Sequence, residues 1–214
     1  MKILVTAGPT YEPIDPVRFI GNHSSGKMGI AIADEFAAKG NDVILVKGPT
    51  HLHPQQNSVK EVNVQTAAQM FEACSQYFKQ CNVIVFAAAV ADYTPKYVSE
   101  TKIKKKEEQF SIELIKTKDI AGELGKLKTD KQVVVGFALE TDNEFENAQE
   151  KLKKKNMDCI VLNSMRDEGA GFGHDTNRIT IIDKNGNTTK FDLKPKAEVA
   201  KDIVDYVNKI IGNQ

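Results

Sequence analysis

Two stretches, residues 82–87 (NVIVFA) and 132–138 (QVVVGFA), are almost continuously apolar, the pattern of strands buried on both faces. Such strands need a layer of helices on each side, and the neighbouring segments supply them. Residues 2–6, 42–46, 59–64 and 157–162 read as further strands. Between them, residues 25–39 carry Met28, Ile32 and Phe36 on one helical face, and Gly40 stops that helix. Thr66 caps a helix to about residue 80 with an apolar stripe of Ala67, Met70, Phe71, Cys74 and Phe78. A helix over 143–155 follows the second apolar run. Residues 110–115 alternate like a strand, and 119–128 suggest a short helix interrupted by Gly122 and Gly125. Asn185-Gly186 predicts a hairpin turn between 178–183 and 188–193. Pro195 starts a terminal helix through Val199, Ile203, Val207 and Ile210. The order predicts an α/β fold: a Rossmann-like, doubly wound, mainly parallel sheet with helices on both faces and a C-terminal β-hairpin, in a single domain over 1–214.

The stretch 8–29, GPTYEPIDPVRFIGNHSSGKMG, joins the first strand to the first helix. A strand, a loop rich in Gly, Ser and Asn, and a helix N-terminus together make an anion site, because the first N–H groups of a helix lack partners and its dipole favours negative charge. Residues 21–27 satisfy G-x-x-x-x-G-K, but Met28 stands where a P-loop needs Ser or Thr for magnesium. A plainer reading makes Ser24 or Ser25 an N-cap, with Gly26 and Gly29 allowing close packing. That leaves Asn22, His23 and Lys27 without a role.

Lys plus Arg and Asp plus Glu each total 29, so no net charge points to nucleic acid or a membrane surface. No apolar run approaches a membrane span and no signal-peptide pattern opens the chain, which predicts a cytoplasmic protein. Cys74, Cys81 and Cys159 lack metal-binding or redox spacing and read as buried, reduced thiols.

The strand over 82–87 runs into Ala87-Ala88-Ala89-Val90-Ala91-Asp92-Tyr93, where small residues at a carboxyl end admit a ligand to the backbone. Asp92 is open to two readings, acceptor for a base or amine and turn cap. Residues 97–109 are highly charged, with Lys102, Lys104, Lys105 and Lys106 clustered. They read either as a solvated face or as a flexible lid that carries lysines to phosphates. Lys151 and Lys155 lie one turn apart on one helical face.

The opening stretch resembles the start of the phosphopantothenoylcysteine synthetases (phosphopantothenate–cysteine ligases) of coenzyme A biosynthesis. The likeness recurs at AAAVADY (87–93), the KIKK loop from Lys102, VVVGFALET (133–141) and the Lys151/Lys155 helix. It implies condensation of 4′-phosphopantothenate with L-cysteine, driven by CTP and Mg2+ through a phosphopantothenoyl-CMP intermediate. An ATP-using version of the same ligase is the alternative. The resemblance implies Ser24, Ser25, Gly26 and Lys27 around triphosphate and phosphopantothenate. It implies Asn22 in turnover of the acyl-nucleotide with cysteine, and Arg18 in the same region and in the dimer. Cytidine recognition falls to Ala87, Ala88, Ala89 and Asp92, the phosphates to Lys102. Further nucleotide contacts fall to Phe137, Lys151, Lys155 and the turn Thr117, Lys118, Asp119, Ile120, where TKDI replaces a common NPDI. It also implies a homodimer, for which Pro13, Pro16, Phe19 and Ile20 fit a protruding shared segment, although Phe19 and Ile20 also read as anchors of the loop on their own domain. It implies fusion in many bacteria to a flavin-dependent decarboxylase, with no flavin in this domain. No metal ligands are predicted. Against a Rossmann oxidoreductase, the first loop lacks G-x-G-x-x-G and the second strand ends in Lys47-Gly48 rather than an acidic ribose ligand. A non-catalytic nucleotide-binding module is the remaining class.

Overall fold

The computed structural model describes residues 1–104, 110–140, 142–164 and 174–212. In chain order the elements are β1 (Lys2–Ala7), β2 (Tyr11–Pro13), β3 (Phe19–Gly21), α1 (Lys27–Ala38), β4 (Asp42–Lys47), β5 (Lys60–Asn63), α2 (Ala67–Phe78), β6 (Val83–Phe86) and β7 (Tyr93–Pro95). Then come β8 (Leu114–Lys116), α3 (Ile120–Gly125), β9 (Val133–Glu140), α4 (Glu144–Lys154), β10 (Cys159–Ser164), β11 (Thr176–Asn177), β12 (Ile179–Asp183), β13 (Thr188–Lys190), β14 (Lys194–Pro195) and α5 (Lys196–Gly212).

The main sheet has the order β13-β12-β10-β9-β6-β1-β4-β5. The six strands from β5 to β10 are parallel; β12 and β13 return antiparallel. The chain winds outward from β1 through β4 to β5, crosses back, and continues from β6 through β9 to β10. The winding direction therefore reverses between β1 and β6, whose carboxyl ends diverge into a crevice.

Residues alternate between two helical layers, as the period of two requires. Ile3, Val5 and Ala7 of β1 and Val83 and Val85 of β6 pack into the core under α1 and α5. Leu4, Ile84 and Phe86 point to the opposite core, built from α2, α3 and α4. Phe36 and Phe78 are fully buried, one in each layer; truncating either to alanine is expected to cost about 3–5 kcal/mol. Thr66 caps α2 in a capping box with Gln69.

Local predictions differ from the structure in three places. The N-cap of α1 is Gly26, in the left-handed conformation, not Ser24 or Ser25; Ser24 Oγ instead accepts from Gly26 N–H at 3.2 Å. Residues 110–115 add no strand to the main sheet. β6 and β9 pair directly, Val83 opposite Val133, so no edge is open between them. Leu114–Lys116 pairs instead with Tyr93–Pro95 as a separate ribbon. Gly122 does not interrupt α3, because its N–H is held at 3.0 Å by the side chain of Asp119, the helix cap.

The three cysteines are free and buried. Burial pushes Cys74 up to about 12 and Cys81 up to about 11, so both stay protonated thiols. Among the described residues no helix is long and apolar enough to cross a membrane.

Candidate functional site

A cavity of about 670 Å³ opens at the carboxyl ends of the parallel strands, the size of a small-ligand site. Its floor is the seam between β1 and β6. Buried Thr6 and Thr10 accept from the N–H groups of Ala88 (3.1 Å) and Ala91 (3.0 Å), and Ala89 N–H donates to Gly8 O at 2.9 Å. These bonds fix the half-buried alanine segment along the crevice, where small side chains leave room for a ligand.

One wall is the loop into α1. Gly26 has φ +78° and Gly8 φ +85°; a Cβ on Gly26 would lie 2.9 Å from Gly8 N, so the two segments meet at glycine distance. A Cβ on Gly29 would lie 2.7 Å from Ala7 Cβ, which lets the first turn of α1 sit against the end of β1. Thr50 Oγ1 donates to Ser25 O at 2.8 Å and steadies the same loop. The first intrahelical bond is Ile30 N–H to Gly26 O, and the first turn holds no acidic residue. The N–H groups of that turn and the helix dipole therefore face the cavity unopposed by a carboxylate of their own turn.

Asn22 ties this loop to the end of β6. Its Nδ2 donates to the carbonyls of Ala89 (2.9 Å) and Val90 (3.2 Å), and a substrate carbonyl seeking that donor must replace one of them. The opposite wall is charged. Asp119 accepts from Lys155 Nζ at 2.8 Å; burial opposes its ionisation, but the bonds from Lys155 and Gly122 outweigh it and hold the carboxyl low. Lys151 is held below the ordinary lysine range by burial and then by the Lys155 charge, against Glu140, Asp119 and Asp92. Thr117 turns inward to its own backbone, donating Oγ1 to Ala91 O at 2.6 Å and N–H to Asp92 O at 2.9 Å. It fixes the turn that presents Asp92, which is exposed. Lys118 sits over the Phe71 ring at 4.2 Å.

The structure thus gathers around one cavity Asn22, Ser24, Ser25, Gly26, Lys27, Ala87, Ala88, Ala89, Asp92, Thr117, Lys118, Asp119, Ile120, Phe137, Lys151 and Lys155. Arg18 and Lys102 do not line it. Arg18 is bound to Asp15, whose buried carboxylate also accepts the N–H groups of Val17 (2.9 Å), Arg18 (2.9 Å) and Ile103 (3.1 Å). The Arg18 guanidinium, acting against burial, holds that carboxyl far below the usual range, and Nη2 also donates to Ile103 O. The β2–β3 ribbon therefore grips the chain beside exposed Lys102. Lys105, Lys106 and Thr141 lie outside the described residues. Three lining residues that the sequence did not single out as ligands are Asn163, Asn177 and Lys196. Asn163 ends an apolar strand, which is a usable signal. Asn177 and Lys196 carry none.

The fold and cavity define a doubly wound α/β protein with a glycine-lined loop and a helix N-terminus at its topological switch point. A family model described as the DNA/pantothenate metabolism flavoprotein C-terminal domain matches residues 1–211, and the chain belongs to that family. It is similar to the coenzyme A biosynthesis bifunctional protein CoaBC of Haemophilus influenzae, at 44% identity over 97% of this chain and 51% of that protein. The CoaBC of Bacillus subtilis is 42% identical over 96% of this chain and 50% of its own length. A prokaryotic protein named cysteine/cysteine sulfinic acid decarboxylase is 56% identical over 98% of this chain and 58% of its own. The chain thus spans little more than half of these relatives. The crystal structure of the C-terminal domain of a CoaBC superposes with a TM-score of 0.84 at 42% identity, covering 100% of this chain and 96% of that one.

Proposed function

We propose that this chain is a phosphopantothenate–cysteine ligase, which joins 4′-phosphopantothenate to L-cysteine in coenzyme A biosynthesis. The observation that carries the reading is the cavity at the β1/β6 switch point, where the N-terminus of α1, a half-buried alanine segment and a two-lysine wall face one another in a family member. The CoaBC relatives, which this chain matches over about half their length, support the pathway. The decarboxylase name of the 56% identical relative belongs to a protein more than a third of which lies outside the match, and it is not carried to this chain. On this reading, longer forms of the protein carry a flavin-dependent decarboxylase domain beside this one, and the ligase half needs no flavin.

On this reading the nucleotide is CTP, although the steps themselves would run equally with ATP. A substrate carboxylate oxygen attacks the α-phosphorus, the bond to the β-phosphate bridge breaks, and pyrophosphate leaves. The amine of cysteine then attacks the acyl carbon, CMP leaves with the electron pair of the broken anhydride bond, and the amine gives up a proton. The α1 N-terminus with Ser24, Ser25, Gly26 and Lys27 would hold the phosphates. Ala87, Ala88, Ala89 and Asp92 would present acceptors to the base, with Lys151 and Lys155 beside Asp119 on the nucleotide's other side and Phe137 and Ile120 as apolar contacts. Asn22 would orient the acyl carbonyl as charge develops on its oxygen. Lys102 would reach the phosphates as part of a closing lid over about 97–109, of which residues 105–109 lie outside the described residues; the Asp15–Arg18 pair holds this segment at Ile103, next to Lys102. Magnesium would be carried largely by the substrate's phosphate oxygens and water, as this ion commonly is in phosphate-transfer sites. In the proposed homodimer the ribbon is the contact: Val17 is 59% and Phe19 49% exposed, while Phe19 stacks on Tyr11 at 3.7 Å.

The test is pyrophosphate release with phosphopantothenate, magnesium and either CTP or ATP, with and without cysteine. Release with CTP that depends on phosphopantothenate supports the ligase as proposed. Preference for ATP keeps the ligase and overturns the cytidine role of Asp92. No release with either nucleotide overturns the ligase and leaves a nucleotide-binding module.

A further inference from the structure

The cavity continues past the loop before α1 to the start of α5, a corner that shares Lys27 with the proposed phosphate contacts and adds Asn163, Asn177 and Lys196, which those contacts do not include. There β11 and β14 pair as a two-stranded ribbon, Thr176 opposite Pro195 and Asn177 opposite Lys194, which seats Asn177 and the first residue of α5, Lys196, on the cavity wall. Lys196 is 6% exposed. Its Nζ donates to His174 O at 2.6 Å and its N–H to Asp175 O at 2.9 Å. Lys27, at the start of α1, is salt-bridged at 2.5 Å to the exposed carboxylate of Asp175. Two helix N-termini and two lysines therefore converge from opposite sides. Burial and the Lys27 charge hold Lys196 below the ordinary lysine range, with Asp175 acting in the opposite sense.

The independent observation is Asn177. It is 2% exposed, donates Nδ2 to Asn163 Oδ1 at 3.1 Å, and leaves Oδ1 buried without a hydrogen-bond partner among the described residues. A buried amide oxygen with no donor costs about 1–3 kcal/mol, and a well-ordered protein retains such a group where a ligand or its bound water completes it. The Asn163–Asn177 amide pair can also turn over together, presenting N–H in place of oxygen, because the two ends of a carboxamide are nearly isosteric.

We propose that Lys27, Lys196 and the Asn163–Asn177 amide pair form a phosphate-binding subsite, with Asp175 as the internal carboxylate that the incoming phosphate displaces from Lys27. The proposal deepens the ligase reading and rests on it for the identity of the phosphate, which comes either from the nucleotide's polyphosphate or from phosphopantothenate. A phosphate there would accept charge-assisted bonds from both lysines, and its hydroxyl or bound water would donate to Asn177 Oδ1.

The experiment is calorimetric titration of the full chain with CTP, with 4′-phosphopantothenate and with inorganic pyrophosphate, on the wild type, Lys196→Gln, Lys196→Arg and Asp175→Asn. Lys196→Gln is expected to weaken one phosphate-bearing ligand tenfold or more, Lys196→Arg to recover most of that, and Asp175→Asn to tighten it two- to fivefold. Weakening of CTP and pyrophosphate together assigns the subsite to the polyphosphate; weakening of phosphopantothenate alone assigns it to that substrate. Unchanged affinity for all three overturns the proposal. If Lys196→Gln does not fold, Asp175→Asn decides through its exposed side chain, and unchanged affinity there also overturns it. The pyrophosphate arm reads the subsite without any ligase turnover, so loss of the ligase reading and loss of the subsite are separate results.

Discussion

Replacing Gly26 by alanine tests whether the anion loop is held by close backbone approach. Two costs arise at this position. An L-residue at φ +78° costs about 1–2 kcal/mol, and the new Cβ would meet Gly8 N at 2.9 Å and Gly8 Cα at 3.0 Å. Gly8 itself has φ +85°, so the clash is with fixed backbone rather than a movable side chain. Forcing it apart adds about 1–3 kcal/mol, the usual range for overpacking. Gly40, at the other end of α1, is the control: it has the same φ of +78°, and a Cβ there would meet nothing within 4 Å, so it isolates the conformational cost. With a urea slope of about 2 kcal/mol per molar, Gly40→Ala should lower the midpoint by about 0.5–1 M and Gly26→Ala by about 1–2.5 M. Nucleotide affinity separates the two further. Gly26→Ala displaces the first-turn N–H groups and should weaken CTP about tenfold, the worth of one bond to a charged group; Gly40→Ala should leave it unchanged. Equal midpoints for the two variants would refute the close-approach argument, and full CTP affinity in Gly26→Ala would refute the loop's role in binding.

Three further outcomes are expected. Asn22→Asp cannot donate to Ala89 O and Val90 O; in a quenched time course it should accumulate acyl-nucleotide and stall before cysteine, and near-normal turnover would remove Asn22 from that step. Lys102→Gln should slow acyl-nucleotide formation, and Asp15→Asn should slow the same step by loosening Arg18 and Ile103; normal single-turnover rates in Asp15→Asn would mean the grip has no bearing on the lid. Because burial and Lys155 lower the pKa of Lys151, CTP affinity should decline as pH rises through that lowered value, where Lys151 loses its charge, before an ordinary lysine at about 10.4 would. Lys155→Met removes the like charge and should move the onset to higher pH in binding titrations; an unmoved onset would show that the two lysines do not act on each other.

The sequence by itself determined what depends on near neighbours. A run such as VIVF over β6 can only be buried on both faces, which demands two helical layers, and the strand–loop–helix from β1 to α1 is contiguous, so that unit was legible before any fold was known. The capping box at Thr66 and Gln69 is local in the same way. Tertiary structure decided whatever depends on distant partners. Gly26 rather than a serine caps α1 because Gly8 approaches it from another segment. Residues 110–115 alternate like a sheet strand, yet β6 and β9 had already closed the place where such a strand would pair. Arg18 turns to Asp15 and the Lys102 segment, 85 residues away at Ile103. Lys196 reaches the cavity because the antiparallel return through β12 and β13 brings the start of α5 back against the loop before α1, and Asn177 is seated there by the pairing of β11 with β14 and by its bond to Asn163. Hydrogen bonding and periodicity within a segment are written in the local sequence. Which distant segment satisfies a buried polar group is set by packing, and there the cavity acquired the residues that the chain order had hidden.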